Sequence, residues 1–297
     1  MTTDRLSRLT QLLESSGFDA LALNPGPSLT YLTGLEFHLM ERPTVLLIAP
    51  PAAPILILPE LETPKLKLSR IPLQGFTYGD NPASWGQAFQ DAAQAAGLIG
   101  KRVAVEPNRL RFLELEFLQK AVPSAKFVSG ESVLTPLRMH KDAQELAAMR
   151  RAGHIARQAL DATLPLLKPG ITEREAASEL TVNLLRCGSD TEQPFAPIVE
   201  FGENSANPHG VPTDRRLKEG DLILFDWGAR YQGYCSDVTR VFAKGKIDRQ
   251  GRRWHDKMDH AAAPPGCPTF VVCHHDHIFK IIGRRSGHSR PGTAITM

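Results

Sequence analysis

The chain has no apolar run approaching the ~20 residues of a membrane-spanning helix. Its first residues, Met1-Thr2-Thr3-Asp4-Arg5, lack the apolar core of a secretory signal. The expectation is a cytoplasmic protein with no membrane partner. Cysteine is scarce. Cys187, Cys235, Cys267 and Cys273 include no CxxC spacing, which excludes a zinc ribbon and a dithiol redox pair. Without an export signal, a disulfide framework is not expected either. A genuine excess of positive charge is also missing. The net charge is +3, but residues 246–297 hold nine Lys and Arg against four Asp, so the preceding residues are slightly acidic. No nucleic acid partner is expected for that body.

What is present fits a globular protein. At 297 residues, 42% hydrophobic and 23% charged, the chain can bury two domain cores. Thr3 or Asp4 can cap a first helix with Leu6, Leu9, Leu12 and Leu13 on one stripe, ended by Gly17. Strands are expected at 20–23, 45–48, 55–58, 103–105 and 126–128. Helices are expected at 85–96 and 109–120, the second burying Leu110, Leu113 and Phe117. The alternation predicts an α/β (α+β) domain with a mixed sheet over residues 1–133. A second unit over 134–246 opens with a helix at 142–166, whose stripe includes Leu146, Met149, Ile155 and Leu160. Thr172 and Glu175 form a capping box for the next helix, to about Arg186. A strand at 195–199 follows.

The chemistry concentrates between Phe201 and Lys244. Asp226 ends the apolar run Leu222-Ile223-Leu224-Phe225, and Asp237 sits in Cys235-Ser236-Asp237-Val238-Thr239. Gly228 and Gly233 punctuate the interval as in a β-hairpin, which would bring both side chains to one face. Two such carboxylates repel one another. Burial of either is costly without a cation or hydrogen bonds. A divalent cation between them answers both problems. Upstream, His209 in Asn207-Pro208-His209-Gly210 can reach over such a site. The residues alone leave a plainer reading open. Asp226 can cap the turn at Trp227-Gly228, Asp237 can bond neighbouring amides, and His209 can be an ordinary loop histidine. Glu200, Glu203 and Asp214 lie nearby without a ligand role of their own, and His140 and His154 read as helix-surface residues.

The segment resembles the pita-bread metallopeptidases: Xaa-Pro aminopeptidases, prolidases, methionine aminopeptidases and creatinases. The matching elements are Asn207-Pro208-His209, Glu219-Gly220-Asp221, Phe225-Asp226-Trp227-Gly228 and Tyr234-Cys235-Ser236-Asp237-Val238-Thr239-Arg240. The preceding domain resembles the creatinase and prolidase N-terminal domain through Asn24-Pro25 and Tyr31-Leu32-Thr33-Gly34. The resemblance implies that Asp226 and Asp237 bind metal, that His209 holds the substrate and the tetrahedral intermediate, and that proline-containing peptides are the substrates. It implies two divalent ions per complete site, Mn²⁺, Co²⁺ or Zn²⁺, with carboxylates favouring the harder ions.

The resemblance covers roughly residues 5–245 and then stops. In the family, a second half of the catalytic domain supplies a histidine and two glutamates. After Glu219 this chain contains no glutamate. Residues 247–297 read as an aberrant basic tail holding His255, His260, His274, His275, His277 and His288. Three accounts of it compete: a rearranged reading frame, an abandoned half-site, and a histidine-rich metal-binding appendage. The expected fold is therefore a creatinase-like N-terminal domain followed by an incomplete pita-bread catalytic domain. The expected function is a metal-dependent Xaa-Pro aminopeptidase or dipeptidase, impaired in this chain. The alternatives are a non-catalytic metal- or partner-binding pseudoenzyme and a creatinase-like C–N hydrolase. Uncovered sheet edges would favour a homodimer.

Overall fold

The computed structural model describes residues 2–245 and two further strands, Phe270–Cys273 and Ile278–Ile281. The rest of the tail, with its histidines, lies outside the described residues. The chain divides into two compact units, Met1–Lys141 and Asp142–Met297.

The first unit holds α1 (Thr2–Ser15), β1 (Ala20–Leu23), α2 (Pro27–Thr33), β2 (Val45–Ile48), β3 (Ile55–Pro59), β4 (Gln74–Tyr78), α3 (Trp85–Ala95), β5 (Arg102–Val105), α4 (Phe112–Ala121), β6 (Lys126–Ser129) and α5 (Glu131–Met139). Its sheet runs β4-β3-β2-β1-β5-β6. β2 lies antiparallel to β1 and β3, while β1–β5, β5–β6 and β3–β4 are parallel, so the sheet is mixed. Side chains alternate along each strand. In β1, Leu21 and Leu23 enter one core with Leu9, Leu13 and Leu137, while Ala20 and Ala22 face Phe89, Ala92 and Ala93 in the other. Small residues on both sides let the alanine-rich α3 sit close to the sheet. Each fully buried leucine in these cores contributes roughly 1.5–3 kcal/mol.

Three sequence expectations shift here. The α4 helix starts at Phe112, and its fully buried residues are Glu114, paired with Arg111, and Leu118. Leu110, Leu113 and Phe117 are only half-buried. β4 was not anticipated. The expected boundary at 133/134 also differs from the compact units, because Leu134 and Leu137 of α5 are buried in the first core.

The second unit contains α6 (Ala143–Thr163), α7 (Glu173–Arg186), β7 (Ile198–Phe201), β8 (Leu222–Trp227), β9 (Arg230–Tyr231), β10 (Tyr234–Ala243), β11 (Phe270–Cys273) and β12 (Ile278–Ile281). Both helices begin with complete capping boxes, Asp142 with Glu145 and Thr172 with Glu175. The sheet runs β11-β12-β10-β8-β7. β12 pairs with Cys235–Val238 of β10, so that stretch is not an open edge as expected. One face of the sheet packs on α6 and α7 through Val199, Phe201, Ile223, Phe225, Trp227 and Val238. The Trp227 indole donates to the Ala156 carbonyl at 2.9 Å, fixing strand to helix. Leu146, expected on the buried stripe of α6, is 37% exposed. No helix among the described residues is long and apolar enough to cross a membrane.

Candidate functional site

The second face of this sheet carries the chemistry, and strand register decides which residues reach it. β8 and β10 are antiparallel, with Asp226 opposite Thr239 and Trp227 opposite Val238. Ala229 and Ser236 continue that pairing through the Ser236 amide to the Ala229 carbonyl at 2.9 Å. Asp237 therefore stands two residues from Asp226's direct partner and shares its face. Such diagonal neighbours have Cα atoms about 7–8 Å apart, within reach of one another's side chains. The expected convergence of the two aspartates on one face is met. Oδ1 of each carboxylate is buried.

Two glycines make the hairpin possible. At Gly228 a Cβ would lie 2.0 Å from the Ser236 carbonyl oxygen, so only a glycine lets the strands approach there. The reversal itself is made by Gln232 and Gly233, at φ 51° and 80°, between β9 and β10. The Gly233 amide donates to Asp190 Oδ2 at 3.1 Å, which anchors the tip.

His209 stands in the exposed turn between β7 and β8. Two polar clusters hold that loop. Glu173, fully buried at the start of α7, accepts from the Phe201 amide at 2.8 Å, the Thr213 amide at 2.9 Å, the Thr213 hydroxyl at 2.6 Å and Asn204 Nδ2 at 3.0 Å. Arg215 forms paired bonds to Asp221, at 2.7 and 3.0 Å, and to Glu203, at 3.0 and 2.8 Å. The Arg215 guanidinium holds the Glu203 carboxyl down to about 2. Burial opposes ionisation of Asp221, yet Arg215 and the Lys218 amide keep its carboxyl below the usual range. Neither cluster was foreseen from sequence, although Glu173 follows directly on the recognised capping threonine.

Glu200 was noted in the sequence only as a nearby acid. β7 begins three residues later than expected, and Ile198 pairs with Asp226, Glu200 with Leu224. Glu200 thus sits diagonally from Asp226 on the same face. It is 2% exposed, and its Oε2 has no hydrogen-bond partner among the described residues. Its Oε1 lies 1.6 Å from where a Gly210 Cβ would stand, so this glycine, directly after His209, makes room for it. Burial pushes the Glu200 carboxyl above the usual range, and the Glu173 carboxylate pushes it the same way. Among the described residues, no three His, Cys, Asp or Glu side chains converge as a metal-ligand group. The two aspartates are brought together; His209 does not join them in such a group.

Comparison with known proteins matches both units. Residues 5–140 match the creatinase/prolidase N-terminal domain, and residues 147–263 match metallopeptidase family M24. A putative dipeptidase of Bacillus subtilis is 30% identical over 245 residues, covering 82% of this chain and 67% of that protein. The crystal structure of a dipeptidase from Pyrococcus horikoshii superposes with a TM-score of 0.77 at 32% identity, covering 87% of this chain and 70% of that one. A prolidase from Thermococcus sibiricus gives 0.79 at 25% identity, covering 88% and 71%. With a mixed-sheet unit preceding a second unit that has two helices on one face of its sheet and carboxylates on the other, this chain belongs to the pita-bread metallopeptidases of the prolidase and Xaa-Pro peptidase family.

Proposed function

We propose that this chain carries the first half of a metal-dependent peptidase site for proline-containing peptides, with Asp226 and Asp237 as metal ligands. The observation that carries this reading is their diagonal placement on one sheet face, each with a buried carboxylate oxygen. The family implies divalent metal ions, and two carboxylate donors at this spacing fit a shared hard cation such as Mn²⁺, with Co²⁺ or Zn²⁺ as alternatives. Bound there, such ions would supply Lewis-acid polarisation of a carbonyl and a water of lowered pKa.

The remaining steps fall to the chain's own groups. Asp226 and Asp237 supply the negative charge that holds the cations and fix their position against the sheet. His209, on a turn braced by Glu173 and Arg215, would donate to charge developing on the substrate oxygen. No glutamate follows Glu219 in this sequence, so the chain offers no later carboxylate of that kind as ligand or proton carrier. Two aspartates make a weak site by themselves.

The test is turnover of Gly-Pro and Ala-Pro with added Mn²⁺, together with metal counted per chain. Expected are weak metal binding, lost in Asp226→Asn and Asp237→Asn, and negligible turnover. Robust turnover abolished by Asp226→Ala would overturn the impairment and keep the ligand assignment. Metal uptake unaffected by both Asn variants would overturn the assignment. A second reading, a metal- or partner-binding protein without catalysis, is favoured by the lack of a three-ligand group among the described residues.

A further inference from the structure

A carboxylate buried to 2% exposure ordinarily has an Arg, Lys or donor cluster against it. Glu173, its buried neighbour, follows that rule, with both oxygens taken by amide and hydroxyl donors. Glu200 does not. Its Oε2 is buried without a hydrogen-bond partner among the described residues. It also sits on the face of Asp226, beneath the turn that carries His209. A Cβ at position 210 would collide with Glu200 Oε1, so the backbone of the turn is shaped around this carboxylate. Glu173 adds negative charge beside it, and Asp226 shares its face. The site is thus built to attract a cation. It offers too few converging ligands among the described residues for a metal of its own. An ammonium group needs only one carboxylate and a few acceptors.

We propose that Glu200 binds an ammonium group of the peptide substrate and so sets which peptides this face accepts. The inference rests on the peptidase reading above. The diagonal separation of Glu200 from Asp226, about 7–8 Å between Cα atoms, is comparable to the reach of an extended lysine side chain and exceeds the about 2.5 Å between a residue's own α-nitrogen and carbonyl carbon. A peptide with its first carbonyl near Asp226 can therefore bring a lysine side-chain ammonium to Glu200, while an α-ammonium reaches Glu200 only when the first residue itself lies over it.

The experiment uses the full chain and Glu200→Gln, titrated calorimetrically with Ala-Pro, N-acetyl-Ala-Pro and N-acetyl-Lys-Pro. Ala-Pro carries only the α-ammonium, N-acetyl-Lys-Pro only the side-chain one, and N-acetyl-Ala-Pro neither. The expected result is at least tenfold weaker binding of one ammonium-bearing peptide by Glu200→Gln, with N-acetyl-Ala-Pro unchanged. The peptide that weakens identifies the source. Glu200→Asp, which keeps the charge, is expected to retain most of the binding. Equal affinities in wild type and Glu200→Gln overturn the proposal, as does an equal loss for N-acetyl-Ala-Pro. Where the wild type binds none of the peptides, n-butylammonium followed by NMR line broadening separates the two claims. Binding lost in Glu200→Gln keeps Glu200 as an ammonium site and sinks the peptidase reading. No n-butylammonium binding by the wild type sinks the ammonium site. Thermal melting of each variant reports that it is folded.

Discussion

At the scale of single residues, the site separates acids that are satisfied from one that is not, and pH resolves them. Glu200 has its carboxyl raised by burial and by Glu173. The neutral native form therefore stabilises the fold fully below the unfolded value near 4.5. That stability is lost as pH rises through the raised native value. Glu200→Gln is permanently neutral, so its melting temperature should gain on the wild type as pH climbs from about 4.5 towards neutrality. A gap that stays constant with pH would contradict this. Glu203 has the opposite sign. Its carboxyl is lowered to about 2 by Arg215, so its contribution is present above 4.5 and fades as pH falls towards about 2. Glu203 is solvent-exposed, and the effect should be small. Glu173 carries more. Glu173→Ala strands the buried Phe201 amide and the Thr213 donors, each worth about 1–3 kcal/mol when left unpaired. A loss of about 3 kcal/mol or more in urea unfolding is expected, with His209's turn loosened.

At the scale of elements, the hairpin is the sensitive part. Gly228→Ala would drive a methyl towards the Ser236 carbonyl, and forced overpacking costs about 1–3 kcal/mol. A wild-type urea midpoint for this variant would show that the strands can part there freely. Much of the element plan was legible. Continuous apolar runs marked β1 to β3 and β8, and Thr172 with Glu175 marked the start of α7. The diagonal aspartates were legible too, because hairpin spacing and residue type pointed the same way. What escaped did so for physical reasons. β4, Gln-Gly-Phe-Thr-Tyr at the sheet edge, is largely exposed and lacks an apolar period. α5 contains Pro136 and spans the expected boundary at 133/134, where no helix is anticipated. Glu200 gave no signal because its importance comes from pairing with Leu224 and from Gly210, both distant in the sequence.

At the scale of the whole molecule, two compact units divide after Lys141. Compact units of this size can fold independently. A fragment of residues 1–141 should melt cooperatively. A fragment of residues 1–133 omits Leu134 and Leu137, buried in the first core. Removing two such side chains should cost several kcal/mol, since each buried leucine truncation costs about 2–5 kcal/mol. Equal stability of the two fragments, by circular dichroism melting, would place the domain boundary at the earlier position.

The pleat of β8 assigns alternate residues to opposite duties: Ile223, Phe225 and Trp227 grip the helices, while Asp226 turns outward. Mutational histories of this strand should therefore split into two nearly independent series, odd positions drifting among apolar types and Asp226 held to an acid by the cation proposed for it. A single-codon insertion ahead of Asp226 would couple the two series in one step, sending the acid into the helix side and an aromatic ring into the open.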